Sequence, residues 1–319
     1  MRYLDPKNDL TFKKVFGQHP HLLKSFLNAL LPLEPDAQIV ELHYLPAELV
    51  PEIPEVRNSI VDVRCVDQKG RQFIVEMQML WTDSFMKRVL FNASKAYVKQ
   101  LRTGQEYHYL QPVYSLNLVD DTFRKDTADW YHHYRIVNVA DTGKRIEGLE
   151  FIFVELPKFR PLTIPEKKLQ VLWLRFLTEI GEESCEIPEE LLRQVEVREA
   201  IEYVRESAFS GLELDAYEKY WDGIRVERTL LSGAIAKGEE IGLTKGLAEG
   251  RAEGRAKGLA EGHAEGHAEG LAEGRAEGEA NAARKMALKL LGKGLPVEDV
   301  ASLTGIEEDE ARKLSLPQR

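Results

Sequence analysis

Cysteine is scarce. Two residues, Cys65 and Cys185, in a chain of 319 are too few for a disulfide framework or a cysteine-built zinc cluster. Long apolar runs are missing as well. The nearest approach to the ~20 residues of a spanning helix, residues 21–33, is interrupted by Lys24, Ser25 and Asn28. The opening MRYLDPKNDL has no apolar core of the kind a secretory signal needs. The expected setting is therefore a reducing cytoplasm, with no membrane partner. Positive charge is in deficit too: 43 Lys and Arg stand against 53 Asp and Glu, a net charge of −10. That balance argues against a general polyanion binder, so any nucleic-acid contact has to be local or bridged by metal. What remains is 43% apolar and 30% charged, the balance of a globular protein, which excludes a wholly disordered chain. The length fits one large or two modest domains with an appendage.

The chain changes character twice. Up to about Lys237 the composition is mixed, with aromatics throughout. From Gly238 to Gly278 a glycine falls on every fourth position, eleven in all. After Asn281 an amphipathic pattern returns and runs to Arg319. Before the array, Asn8 or Asp9 can cap a helix that stops at Gly17, and a second helix over 21–31 ends before Pro32. Residues 38–45 alternate as a strand. The helical period of residues 82–102 is followed by Gly104 as a C-cap. Residues 112–119 and 150–154 read as strands, and residues 166–180, 188–207 and 213–231 as helices.

One segment carries chemistry. Residues 59–66 and 72–79 are β-rich runs around a short loop that closes on Gly70, which reads as a hairpin. With Gln68, Lys69 and Gly70 as the loop and Gly70 left-handed, Asp67 pairs with Arg71. Counting back along both strands puts Asp62 opposite Glu76, with their Cβ atoms ~5 Å apart. Period two adds Gln78 to the same face. The other face, Val61, Val63 and Cys65 against Phe73, Val75, Met77 and Met79, is core. Opposed carboxylates repel, and a chain keeps such a pair most readily where a cation binds between them; two oxygens at this separation suit a hard divalent ion such as Mg²⁺. The alternative is an ordinary wet face of an edge hairpin, with Arg64 pairing either acid.

Residues 1 to about 155 resemble the recombination-promoting nuclease and transposase group (Rpn-type) of the PD-(D/E)XK nuclease superfamily. The resemblance rests on the opening Asp5-Pro-Lys-Asn-Asp-Leu-Thr-Phe-Lys-Lys-Val-Phe-Gly17, the Asp62…Glu76-Met-Gln78 hairpin, and the helix with Arg88 and Tyr97. It extends through Gly104, Tyr107, Leu110 and Pro112-Val-Tyr-Ser-Leu-Asn117. It implies an α/β, restriction-endonuclease-like core, a mixed central sheet flanked by helices. It also implies that Asp62, Glu76 and the Met77 carbonyl hold a metal, Mg²⁺ or an alternative such as Mn²⁺. Asp62, Glu76 and Gln78 would be the catalytic residues. Two departures stand out: Val61 replaces the proline of the superfamily name, and Gln78 replaces its lysine. Glutamine can orient the attacking water but brings no charge, so Lys13, Lys14 and Arg88 are candidate cations.

Other features have plainer readings. In Trp130-Tyr-His-His-Tyr134, adjacent histidines of a strand point to opposite faces and are poorly placed to share a metal. His263 and His267 look like drift at one variable position of the array. That array, roughly Gly-x-Ala-Glu, carries five Lys and Arg against ten Asp and Glu over residues 238–279, which disfavours phosphate binding. It is either a flexible tether or a self-association helix, since glycine weakens a helix while small residues four apart let two helices approach closely. Residues 282–292, 296–303 and 307–314 form three short helices, with a helix-turn-helix-like corner at Thr304-Gly-Ile306. Four acids leading the last helix, Glu307 to Glu310, disfavour DNA reading and favour an interaction or dimerisation bundle.

The expected organisation is a nuclease-like core over residues 1–160, a helical extension over 161–237, the repeat over 238–281 and a small bundle over 282–319. The expected function is a Mg²⁺-dependent DNA endonuclease of low sequence specificity, acting in recombination, mobile elements or defence. Its partners would be DNA and further copies of the chain, a homodimer or higher oligomer joined through the C-terminal third. The alternatives are a catalytically weak nuclease-fold scaffold that binds nucleic acid or protein, and a nuclease inhibited by its own C-terminal region.

Overall fold

The structure, a computed structural model, describes residues 2–48, 60–160 and 168–315. Ser59, where the first hairpin run begins, and Glu166, the expected start of a helix, lie outside the described residues. The chain forms two compact units, residues 1–231 and 232–319.

The first unit is built on a six-stranded mixed sheet in the order β1-β2-β3-β4-β6-β5. The strands are β1 (Leu42–Tyr44), β2 (Val63–Asp67), β3 (Gln72–Gln78), β4 (Val113–Val119), β5 (Tyr131–Asn138) and β6 (Asp141–Glu155). The pairs β3–β4 and β4–β6 are parallel and the rest antiparallel. β3 is thus an interior strand, hydrogen-bonded on both sides, and the hairpin is not a wet edge.

Helices cover both faces, as a sheet with a buried parallel centre requires. On one side α1 (Asp9–Phe16), α2 (Pro20–Leu30), α4 (Lys168–Glu179) and α6 (Val195–Tyr203) supply Phe12, Phe16, Phe26, Trp173 and Ile201. These pack with Val63, Cys65, Phe73, Val75, Leu116 and Val154 of the strands. On the other side α3 (Asp83–Val98) lays Ala93 and Ala96 on Ile74 and Val113, and Phe85 and Val89 on Val119 and Phe153. α5 (Glu189–Arg193) links α4 and α6. α3 ends at Val98 with Lys99 as its C-cap, so Gly104, with φ +89°, serves a later turn and not the helix cap.

Local chemistry fixes the pieces that matter. Asn8 caps α1, its side chain accepting the Leu10 N–H at 2.9 Å. In the β2–β3 turn Gly70 is left-handed at φ +80°, where a side chain would be strained. Asp67 accepts the Lys69 and Arg71 N–H groups at 3.0 and 2.9 Å and the Arg71 Nε–H at 2.7 Å, locking the hairpin register.

A long helix, α7 (Gly211–Leu291), follows α6, and the whole glycine array lies within it as helix. In the second unit the buried side chains are small: Ala287 near the end of α7, Val300 and Ala301 of α8 (Val297–Thr304) and Ala311 of α9 (Glu308–Ser315). Gly305, left-handed at φ +72°, makes the corner between α8 and α9. Among the described residues no helix is long and apolar enough to cross a membrane.

Candidate metal and phosphodiester site

The register of the hairpin is Val63 with Val75, Arg64 with Ile74, Cys65 with Phe73 and Val66 with Gln72. This is the register that sets Asp62 across from Glu76, but β2 does not continue regularly that far. The backbone bends at Asp62, and the Val61 N–H turns to the Ala47 carbonyl at 3.2 Å. Val61 therefore packs with Ile74, Ala93, Ala96 and Val113 under α3, and does not share the core face of Val63. The bend frees a rung of the ladder. Asp62 takes it: its Oδ2 accepts the Met77 N–H at 2.7 Å. Along a strand the N–H and C=O of one residue point to the same side. Gln78 turns toward β4, its carbonyl accepting the Asp120 N–H at 2.8 Å, so Met77 presents N–H and carbonyl together toward Asp62.

Glu76 points under α3 and is 4% exposed. Its Oε1 accepts from Asn92 Nδ2 at 2.9 Å, and Arg88 lies 3.4 Å from its Oε2. Arg88 and Asn92 stand one turn apart on α3 and so share a face. Arg88 also donates to Gln78 Oε1 at 2.7 Å, while Gln78 Nε2 donates to the Leu80 carbonyl at 2.7 Å. Of the three candidate cations, Arg88 is the one at Gln78. Lys13 pairs with Asp9 at 2.7 Å, and its charge reaches Asp62. Lys14 is turned to the Ala208 carbonyl and the Phe209 ring. Arg64 pairs with neither acid; it donates to Gln72 Oε1 at 2.8 Å.

Both acids are held above the usual carboxylate range. Burial pushes Asp62 up to about 6; the charges of Glu76 and Asp9 add to it, against the Met77 hydrogen bond. Burial also raises Glu76, against the pull of Asn92 and Arg88. A second group of acids lies beside them. Lys7 Nζ bridges Asp120 at 3.1 Å and Asp5 at 3.7 Å, and Asp5, mainly through burial, is raised to about 6. Asn92, Asp5, Lys7 and Asp120 were not named as site residues from the sequence, although Asp5 and Lys7 stand in the opening motif that carries the resemblance. His132 and His133 each pair with a different glutamate, Glu155 at 2.8 Å and Glu150 at 2.7 Å.

The donor set fits a hard divalent cation: two carboxylates and a main-chain carbonyl, all oxygen, with buried acids whose ionisation a cation would favour. Among the described residues no three His, Cys, Asp or Glu side chains gather closely enough to hold a metal by themselves. Mg²⁺ does not need such a cage, since it keeps several waters and binds through one or two carboxylates and the substrate's phosphate.

The sequence family described as PD-(D/E)XK nuclease family transposase matches residues 6–226. No curated protein and no solved structure matches the chain.

Proposed function

The chain belongs to the PD-(D/E)XK nuclease family transposases, and from that membership we propose that it is a metal-dependent DNA endonuclease of low sequence specificity. The observation that carries the proposal is the Asp62 carboxylate fastened to the Met77 N–H beside buried Glu76, two acids whose ionisation burial opposes and a bound cation would favour. Asp62, Glu76 and the Met77 carbonyl would hold Mg²⁺, with Mn²⁺ as an alternative. The chemistry supplied by such an ion, when bound, is stabilisation of charge growing on a phosphoryl oxygen and acidification of water.

The chain's own residues do the rest. The Met77 N–H fixes the orientation of Asp62, and Asn92 fixes Glu76. Arg88 and the Leu80 carbonyl hold the Gln78 amide by both ends, leaving one N–H and one lone pair to orient the attacking water. Arg88 brings to the third motif position the positive charge that glutamine lacks, and it faces the negative charge of the pentavalent phosphate. Water adds to phosphorus, one P–O ester bond breaks, and the products are a phosphate monoester and a free hydroxyl.

Physiologically this cutting chemistry serves recombination, mobile elements or defence. The C-terminal third would assemble copies of the chain, so that two active sites act on the two strands of a duplex. The second reading, a catalytically weak scaffold binding nucleic acid or protein, is favoured by one observation: Gln78 is already engaged at both ends.

The test is cleavage of supercoiled plasmid by the purified chain, with Mg²⁺ and with EDTA, beside Asp62→Ala and Glu76→Ala. Metal-dependent nicking that both variants lose supports the endonuclease. A silent wild type that still binds a DNA or protein partner, and an Asp62→Ala variant that binds it equally, favours the scaffold.

A further inference from the structure

The start of α7 is tied to the N-terminal segment that carries the second group of acids. Tyr217 is buried with Leu4 and Phe209, and Leu10 and Trp221 pack on that cluster. Its hydroxyl accepts the Asp5 N–H at 3.0 Å and donates to Glu182 at 2.9 Å. Residues three and four further along a helix share its face, which brings Tyr220 and Trp221 toward the same segment. Tyr220 is half-buried. Burial, and then the charges of Asp9, Asp62, Asp5 and Asp120, push its phenol far above the ordinary range. The geometry leads from this face of α7 to the site: Tyr217 holds the Asp5 N–H, Lys7 joins Asp5 to Asp120, and the Asp120 N–H donates to the Gln78 carbonyl at 2.8 Å.

The charged and amide donors near these acids are committed to carboxylates or to Gln78. Lys7 lies on Asp120 and Asp5, Lys13 on Asp9, Arg88 on Gln78 and Asn92 on Glu76. The Tyr220 hydroxyl makes no hydrogen bond among the described residues, and it is not a sealed, buried group. We propose that Tyr220 is a substrate-positioning residue that donates its O–H to a non-bridging oxygen of the scissile phosphodiester. This rests on the endonuclease reading above. A lysine here would pair with the nearest acid, whereas the Tyr220 hydroxyl has no hydrogen-bond partner among the described residues and stays available. The ionised phosphate oxygen makes it a charge-assisted acceptor, the stronger kind of hydrogen bond. On this reading α7 completes the active site and is more than a spacer.

The experiment is steady-state cleavage of duplex DNA by the full chain in Mg²⁺, wild type beside Tyr220→Phe. It is run on normal DNA and on duplexes with sulfur in place of one or the other non-bridging oxygen, and melting temperatures are measured in parallel. Expected are a fall in kcat of about 10- to 100-fold, little change in KM and an unchanged melting temperature. A sulfur penalty at the contacted oxygen is also expected, larger in wild type than in the variant. A purely structural role would leave that penalty equal in both. Equal rates in wild type and Tyr220→Phe, or equal sulfur penalties, overturn this assignment alone. A wild type that is inert with every divalent ion overturns the endonuclease reading and this one with it.

Discussion

Oδ2 of Asp62 accepts the Met77 N–H at 2.7 Å, so a side chain completes the ladder rung that the bent strand leaves open. The carboxylate sits where burial, and then Glu76, oppose its ionisation, and its pKa rises from 3.8 to about 6. With the folded value above the unfolded one, its stabilising contribution is full below about pH 4 and is lost as pH climbs through about 6. In EDTA the Asp62 contribution should lower the melting temperature between about pH 4 and pH 7. Asp62→Asn should flatten that part of the fall, with Asp5, raised in the same direction, supplying another part. The Asp62 contribution is at most ~3 kcal/mol. Identical metal-free pH profiles for wild type and variant would remove this explanation.

On the endonuclease reading, Arg88 and Gln78, joined by a 2.7 Å hydrogen bond, would together do what the superfamily assigns to one lysine. Arg88→Ala is expected to slow cleavage by about 10- to 100-fold. It should change stability by less than ~1 kcal/mol, because the Arg88 side chain is half exposed. Gln78→Lys alone places two cations side by side and should gain nothing. The double variant, Gln78→Lys with Arg88→Ala, should cut faster than Arg88→Ala. Plasmid cleavage rates of the four proteins decide it; a double variant no better than Arg88→Ala separates the two residues.

Asn92 is 1% exposed, and its amide holds Glu76 Oε1. Asn92→Leu leaves a buried carboxylate short of a donor, at a cost of about 1–3 kcal/mol. Removing a hydrogen bond that favours the charged form also raises Glu76 further. Chemical denaturation should show the loss of stability, and the acid limb of the cleavage rate should move to higher pH. A variant with lower stability and an unmoved acid limb would detach Glu76 from that limb.

A Cβ built on any of the eleven array glycines meets nothing within 4 Å in its own chain. Alanine at Gly250, Gly254, Gly258 and Gly262 should stabilise the helix by up to ~1 kcal/mol for each position. If copies assemble by close approach along this stripe, the same methyl groups stand in the way. Helix melting by circular dichroism should then rise while the mass in sedimentation falls. An unchanged mass would leave assembly, if present, to another surface.

The hairpin could be read from the sequence because its determinants are local: Gly70 for the left-handed turn, Asp67 for the lock, and strict alternation through Phe73 and Val75. The bend at Asp62 could not, since the groups that meet it, the Ala47 carbonyl and the Met77 N–H, come from elsewhere in the chain. For the same reason alternation put Val61 on the wrong face. β6 begins at Asp141, well before the apolar residues that mark it, because backbone pairing with β5 holds exposed residues that pattern alone cannot claim. The carboxylates were visible as residue types. The groups that hold and surround them, Asn92, Lys7, Asp120 and Tyr220, are distant in sequence, and only the fold brings them near.

The hydrogen bond from the Asp5 N–H to the Tyr217 hydroxyl spans 212 positions of the chain. Contacts so distant close late in folding, because the entropy of a large loop is lost before any contact compensates for it. During synthesis the β2–β3 hairpin, and with it Asp62 and Glu76, leaves the ribosome well before α7 exists. The nascent chain therefore carries its two acids without the helix that latches the N-terminal segment, and a premature stop anywhere before Tyr217 releases a product lacking that latch.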